Sequence, residues 1–197
     1  GLATCGIAAG AERVSDALVA SLASSGVNVP VRKVGCVGMC YNEPLVDVIM
    51  DDDETITYGN LKEADVERIV TEHLLGGQVV QDLRVETDGF LSRQVRIVLE
   101  NCGLIDPESL KAYREQAGYE GFEKVLSKMT QQDVIDMMTA SGLRGRGGGG
   151  FPTGLEWSLA EREDAVDKYI ICNADEGDPG AFMDRSLLEG DPLSVLE

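Results

Sequence analysis

The run from Gly142 to Gly154, Gly-Leu-Arg-Gly-Arg-Gly-Gly-Gly-Gly-Phe-Pro-Thr-Gly, constrains this chain more than any other stretch, because seven of its thirteen residues are glycine. Ordering that many glycines costs too much backbone entropy for a stable helix or strand. Such a run belongs in an ordered domain where backbone must approach something closely. Exposed N–H groups, no side chains and the guanidinium groups of Arg144 and Arg146 suit an anion, above all a phosphate. A flexible linker is the plain alternative, but linkers alternate Gly with Ser. This run has no such Ser and ends in Phe151-Pro152, a bulky aromatic and a rigid turn residue.

A helix leads into the run. Thr130-Gln-Gln-Asp133 resembles a capping box, Val134, Ile135, Met137 and Met138 supply an apolar face, and Gly142 marks the C-terminal stop. No Gly-Lys-Ser/Thr follows, so the run is not a P-loop. Gly145 to Gly150 satisfies GxGxxG, but that fingerprint needs a strand before it. Here a helix precedes it, and an ordinary Rossmann reading fails its context. Further on, Lys168-Tyr-Ile-Ile-Cys-Asn173 predicts a short buried strand. It runs into the acidic turn Ala174-Asp-Glu-Gly-Asp-Pro-Gly180, at the strand end where α/β proteins hold ligands. Ribose hydroxyls or a metal would account for its carboxylates; a solvated acidic turn is the alternative.

The chain has 197 residues, room for one large or two small domains, and a 43% apolar share that can build a core. Seventeen basic residues against 35 acidic give a net charge of −18. That excludes nucleic acid as the natural partner and disfavours an anionic membrane surface. No apolar run is long enough to span a bilayer and no secretory signal is visible, so direct membrane insertion is not expected. Five cysteines, an odd number in a chain too large to need staples, point to a reducing compartment with some cysteines on metal.

From the N-terminus, Ala8 to Leu22 predicts a helix with Val14, Leu18, Val19 and Leu22 inward and Gly26 as its end. Strands are expected over Val29–Val34, Pro44–Met50 and Thr55–Tyr58, with a hairpin turn at Asp51–Glu54. Asn60 with Glu63 is expected to cap a helix running to about Leu75, with Val66, Ile69, Val70 and Leu74 inward and Gly76-Gly77 as the stop. Cys36 and Cys40 are spaced Cys-x3-Cys with Gly35 and Gly38 beside them. Glycines next to thiolates let backbone N–H groups reach cluster sulfurs. Iron–sulfur, zinc, a redox disulfide and incidental cysteines all remain open on the pattern alone. His73, the only histidine, is expected near a helix C-terminus facing dipole and solvent, less often a metal ligand. That leaves no spare histidine for a Ser-His or Cys-His hydrolase. Gln78–Thr87 predicts an extended connector and Asp106-Pro107 a helix start carrying Tyr113. Phe122, Val125, Leu126 and Met129 mark a further short helix, and Cys102 is read as structural.

Together, Gly142–Trp157 and Tyr169–Asp191 resemble the flavin subunit of respiratory complex I and of NAD-linked hydrogenases and formate dehydrogenases. Thr4-Cys-Gly6 ahead of an Ala-rich helix, then Gly35-Cys-Val-Gly-Met-Cys-Tyr-Asn-Glu-Pro-Leu-Val46, resembles the thioredoxin-like [2Fe–2S] ferredoxin often fused ahead of that flavin domain. The resemblance implies an α/β chain: a thioredoxin-like [2Fe–2S] domain over 1–77, a connector over 78–118, and the N-terminal part of an FMN/NADH-binding domain over 119–197.

It implies that Gly145, Arg146, Gly147 and Gly148 approach the FMN phosphate and ribityl chain. Phe151 would stack on the NADH adenine. Asn173, Asp175 and Glu176 would hydrogen-bond flavin and sugars, with Asp178 nearby. No residue is implied as a general acid or base, since hydride passes directly from nicotinamide to flavin. Cys5, Cys36 and Cys40 would be cluster ligands. The family's fourth cysteine would fall immediately before Gly1, so the chain from Gly1 is expected to retain little iron. A [4Fe–4S] motif is expected beyond Glu197, and the chain alone is expected to be inactive. The implied setting is cytoplasmic, with any membrane attachment only through partner iron–sulfur subunits of a hydrogenase, formate dehydrogenase or quinone reductase.

Two positions depart from the family pattern. Glu156 stands where a Lys is usual, and a carboxylate there would repel phosphate by about 1 kcal/mol at an effective dielectric of 20. Leu159 replaces the second adenine-stacking aromatic. A non-catalytic iron–sulfur assembly module with a degenerate nucleotide site is therefore the alternative, and a zinc-stabilised α/β interaction domain a more distant one.

Overall fold

The computed structural model describes residues 1–50, 54–86 and 93–197. It combines helices with a two-stranded antiparallel sheet, a mixed α/β composition. The chain divides into two compact units. One holds Gly1–Gln116 and Asp175–Leu196, the other Ala117–Ala174 and Glu197.

In the first unit the Ala-rich N-terminal stretch forms helices α1 (Thr4–Ala9) and α2 (Ala11–Ser25). The expected single helix is broken at Gly10, whose φ of 104° lies in the left-handed region that only glycine enters without cost. Gly26 ends α2 as expected, with φ 68°. Val14 and Leu22 are buried and Leu18 half-buried, but Val19 is exposed. Val19 falls one residue off the stripe, so a slightly wide reading of the apolar face caught it.

Strand β1 (Val46–Ile49) pairs with β2 (Thr55–Tyr58) in the register Val46 to Tyr58 and Ile49 to Thr55. The expected turn between them lies, over 51–53, outside the described residues. The strand expected at Val29–Val34 is not formed, and Val29 and Val31 are exposed. Pro30 removes one ladder donor there. The segment's tie to the unit is the Val34 carbonyl, which accepts the Leu2 N–H at 2.8 Å. Residues 78–85 run beside β2 instead of forming a free connector. Val85 N–H donates to the Thr57 carbonyl and Gly59 N–H to the Leu83 carbonyl, and Val80 is buried in the core.

The next helical segment starts as a 3₁₀ turn (Glu63–Asp65), passes through α3 (Val66–Arg68) and widens into a π-helical turn (Ile69–Leu75). Its cap is not Asn60 with Glu63. Lys62 N–H donates to Asp65 Oδ2 at 2.8 Å, while Asn60 adopts φ 54° and pairs with Asn42. The start is shifted by two residues because Asn60 is used in that turn. Val66, Ile69 and Val70 point into a core shared with Val14, Leu22, Val48, Ile56, Tyr58, Leu61 and Val80.

His73 corrects the sequence reading. It does not face solvent: it is 2% exposed, and its Nδ1 lies 2.8 Å from the Tyr58 hydroxyl. Tyr58, fully buried, accepts the Val80 N–H at 3.2 Å, so its own proton goes to His73. Burial lowers the His73 pKa, which keeps the ring neutral as an acceptor. Three polar groups thus satisfy one another inside an apolar core.

In the second unit α5 (Glu120–Lys128), α6 (Gln131–Ser141) and α7 (Thr153–Arg162) follow in order. The Thr130–Asp133 capping box forms, and Gly142 ends α6 at φ 69°. Of the expected α6 face only Ile135 is buried, and Met137 is half exposed. Gly154 sets the approach of α7 to α6, because a Cβ there would lie 2.7 Å from both the backbone N and Cα of Thr139. The strand expected over Lys168–Asn173 is absent. Tyr169, Ile170 and Ile171 are 82%, 100% and 85% exposed. Among the described residues no strand runs beside it, and an apolar run becomes a strand only when a partner edge completes its hydrogen bonds.

Back in the first unit, α4 (Leu110–Glu115) begins later than Asp106-Pro107. Ser109 is its cap, its hydroxyl accepting the Ala112 N–H, while Asp106 closes the preceding turn onto Glu108. Helices α8 (Met183–Gly190) and α9 (Pro192–Leu196) complete that unit.

Tyr58→Phe would strand the Val80 N–H and the His73 acceptor inside the core. It is expected to cost about 1–3 kcal/mol, read as an earlier midpoint in urea unfolding; an unmoved midpoint would contradict this network.

Candidate functional site

The Gly-rich run forms a loop pinched at its neck. Gly145 N–H donates to the Phe151 carbonyl at 2.9 Å and Thr153 N–H to the Leu143 carbonyl at 3.0 Å. Arg144 and Pro152 face each other as an isolated antiparallel bridge. The Arg144 guanidinium reaches the Gly150 carbonyl at 2.6 Å, closing the loop from inside. Gly148 and Gly150 carry φ of 99° and 61°, which the turn needs and other residues resist.

At Gly147, Gly148 and Gly149 an added Cβ would meet nothing within 4 Å. The tip is therefore bare backbone facing open space, as a close approach requires. Arg146 is exposed beside it and Phe151 is 49% exposed at its end. Helix α7 starts directly after the neck with no side chain capping its first turn. Its leading N–H groups therefore add to the loop's positive end. Arg144, read from the sequence with Arg146 as a guanidinium for an anion, instead closes the loop on Gly150, which is visible only once Gly150 is known to lie beside it.

A cleft of about 260 Å³ adjoins the neck, lined by Thr139, Leu143, Arg144, Pro152, Gly154 and Ser158. A larger cleft of about 450 Å³ is lined by Leu126, Met129, Ile135 and Trp157, and holds none of the candidate residues. Glu156 lies exposed in the first turn of α7, where a carboxylate suits the helix dipole yet opposes a bound anion.

Asp175, Glu176 and Asp178 belong to the first unit, whereas Asn173 lies in the second. Glu176 is half-buried and caps α8: its two carboxylate oxygens accept the Asp184 and Arg185 N–H groups at 2.9 and 3.1 Å. The Asp184 bond, with that from Arg185, holds its pKa below the usual carboxylate range. Asn173, Asp175 and Asp178 are exposed.

Sequence reading placed Cys5 apart from the Cys36–Cys40 loop, and the fold brings the three together. Cys36 Sγ lies 3.6 Å from Cys40 Sγ, and Gly38 N–H points at Cys36 Sγ at 3.2 Å. Although Cys40 is an exposed residue, its thiol is pushed up to about 12 by lost hydration and by the adjoining Cys5 and Cys36 sulfurs. A thiol held in this way is ionised readily only when a cation joins it, which is the chemistry of a thiolate metal centre. Among the described residues no group of three or more His, Cys, Asp or Glu forms a ready-made ion site. The Gly38 N–H···S bond is of the kind that tunes a thiolate when a metal is bound to it.

The last turn of α8 packs onto these cysteine segments. A Cβ on Gly35 would run into the Gly190 Cα, and one on Gly190 would lie 2.8 Å from Cys102 Sγ. Cys102 is buried, and its thiol is pushed up to about 11, first by burial and then by Asp191. Its expected structural role agrees with that packing. Asp191, buried at 2% exposure, accepts from the Asn101 side chain at 2.9 Å. No described helix is long and apolar enough to cross a membrane.

Comparison with known proteins covers the Gly-rich loop and the acidic turn. Residues 138–197, which contain the end of α6, the Gly-rich loop and the acidic turn, match the Nuo51 FMN-binding domain. The NADP-reducing hydrogenase subunit HndC of Solidesulfovibrio fructosivorans is 58% identical over 105 residues, 53% of this chain and 21% of that protein. An F-type NADH-quinone oxidoreductase subunit of Rhizobium meliloti is 41% identical over 101 residues, 51% of this chain and 24% of that protein. The F-type NADH-quinone oxidoreductase subunit of Escherichia coli is 41% identical over 92 residues, 46% of this chain and 21% of that protein. The matched part thus spans about a fifth to a quarter of these relatives. The resemblance to the complex I and hydrogenase flavin subunit holds.

Two glycine substitutions separate scaffold from contact. Gly154→Ala forces α7 off the Thr139 backbone and is expected to cost about 1–3 kcal/mol of stability. Gly147→Ala meets no neighbour, so it is expected to leave the melting temperature unchanged while weakening FMN binding several-fold. A Gly147→Ala protein with unaltered FMN affinity would remove the loop tip from the site.

Proposed function

We propose that this chain works as part of an NADH-linked electron-transfer flavoprotein within a multi-subunit redox complex. The observation that carries the reading is the coincidence of the FMN-binding-domain match with a pinched, side-chain-free loop opening onto a helix N-terminus. Backbone N–H groups of Gly147 and Gly148 and the Arg146 guanidinium would hold the flavin phosphate and ribityl chain, while Gly145, whose N–H is taken by the Phe151 carbonyl, would only let the ligand approach its bare Cα. Phe151 would offer a π-face to the adenine of NADH. Asn173, Asp175 and Asp178 would meet hydroxyls and flavin edges. Glu176, engaged as the α8 cap, would fix that turn while its outer lone pairs take a hydroxyl. Bound FMN would supply the exchange between a two-electron hydride donor and one-electron carriers. The chain's part is orientation and electrostatics, and no side chain is needed as acid or base.

Cys5, Cys36 and Cys40 would supply three of the thiolates of a [2Fe–2S] centre on a thioredoxin-like domain over 1–77. The crowding of their sulfurs and the Gly38 N–H support that reading. A connector over 78–118 and the flavin domain from 119 onward would follow. The partners would be other iron–sulfur subunits of a hydrogenase, formate dehydrogenase or NADH:quinone oxidoreductase. A [4Fe–4S] centre would belong to the part of such a protein beyond this chain.

One observation favours a second reading. Glu156 sits in the first turn of α7, where its charge opposes an anion, and so a degenerate nucleotide site on an iron–sulfur assembly module is the competing account.

The visible spectrum of the full-length protein, taken anaerobically before and after NADH, separates the two. Flavin and iron–sulfur bands that bleach on NADH addition are expected. Iron–sulfur bands without flavin, inert to NADH, would favour the assembly module, and a colourless protein would overturn both.

A further inference from the structure

We propose that Glu189 is a positioning residue for the cysteine cluster, and that its carboxylate keeps the potential of a [2Fe–2S] centre there low. This rests on the iron–sulfur reading above and adds a residue from a distant part of the chain.

Glu189 lies in the last turn of α8, 185 positions from Thr4, yet the two are joined by two hydrogen bonds. Thr4 N–H donates to Glu189 Oε2 at 3.0 Å, and the Thr4 hydroxyl donates to Oε1. Arg185 Nε donates to Oε1 at 3.1 Å, so the guanidinium offsets one carboxylate oxygen while the other turns to the Thr4 backbone. Thr4 immediately precedes Cys5. The neighbour of Glu189, Gly190, closes on Gly35, which immediately precedes Cys36. One turn of α8 therefore grips the residue before each of two cysteines. The side chain of Glu189 is 31% exposed, so water only partly screens its charge.

A cluster that takes up one electron gains negative charge. A carboxylate hydrogen-bonded to the residue before a ligand opposes that uptake, and net charge is among the factors that set such potentials. Glu189→Gln keeps an oxygen to accept from Thr4 and removes the charge. Thr4→Val removes the hydroxyl bond and keeps both the backbone N–H and the charge. A strap that is only structural would respond to both changes alike, by losing iron. A charge that tunes the centre would respond to the first alone.

The test is a dithionite redox titration of the full-length protein, followed by electron paramagnetic resonance of the reduced [2Fe–2S] signal, with iron measured per chain. The expected result is a midpoint shifted upward in Glu189→Gln, iron content unchanged, and a midpoint close to wild type in Thr4→Val. A Glu189→Gln midpoint equal to wild type, or equal iron loss in both variants, overturns the inference alone. A wild-type protein without a [2Fe–2S] signal overturns the iron–sulfur reading, and the inference falls with it.

Discussion

A loop of bare backbone can meet an anion only if something else fixes its ends. Here that constraint is met at the neck of the Gly-rich run. The Leu143–Thr153 and Gly145–Phe151 hydrogen bonds, the Arg144 guanidinium on the Gly150 carbonyl and the close seating of Gly154 on Thr139 hold the two sides together. None of these ties uses the tip, so the backbone there is left bordering open space. The glycines fall into two classes. Gly142, Gly148, Gly150 and Gly154 are required by backbone conformation or packing, whereas Gly145, Gly147 and Gly149 have neither demand on them. Residues left bare without a structural reason are where a ligand's needs are most visible.

The first unit follows a related economy. Helix α8 is capped at its start by Glu176 and tied at its end through Glu189 and Gly190. Its two ends thus serve an acidic turn and a group of thiols. The absence of side chains at Gly35 and Gly190 lets backbones come closer there than any larger residue would permit. Cys102 fills the remaining space, which explains a buried thiol with no role in the proposed chemistry.

How much of this could be read from sequence depended on whether a feature is local. The Thr130–Asp133 capping box, the stops at Gly26 and Gly142 and strand β2 were legible because each is set by residues within a few positions. The missing strands at Val29–Val34 and Lys168–Asn173 were not, since a strand depends on an edge elsewhere in the chain. His73 was misplaced because its partner, Tyr58, lies fifteen residues away on a strand. Glu176, marked by the pattern for a ligand, is used by the fold as the cap of α8, a role that depends on a helix eight residues on. The grouping of Cys5 with Cys36 and Cys40 could be reached from family resemblance, but its tie to Glu189 could not, as no local pattern links positions 4 and 189.

The central claim is that the Gly-rich loop recognises a phosphate. The most direct measurement compares the affinities of FMN and riboflavin for the full-length apoprotein, by quenching of flavin fluorescence, in wild type and in Arg146→Ala. The account predicts that FMN binds at least tenfold more tightly than riboflavin and that Arg146→Ala erases most of that difference. Equal affinity for the two flavins in the wild-type protein would contradict it.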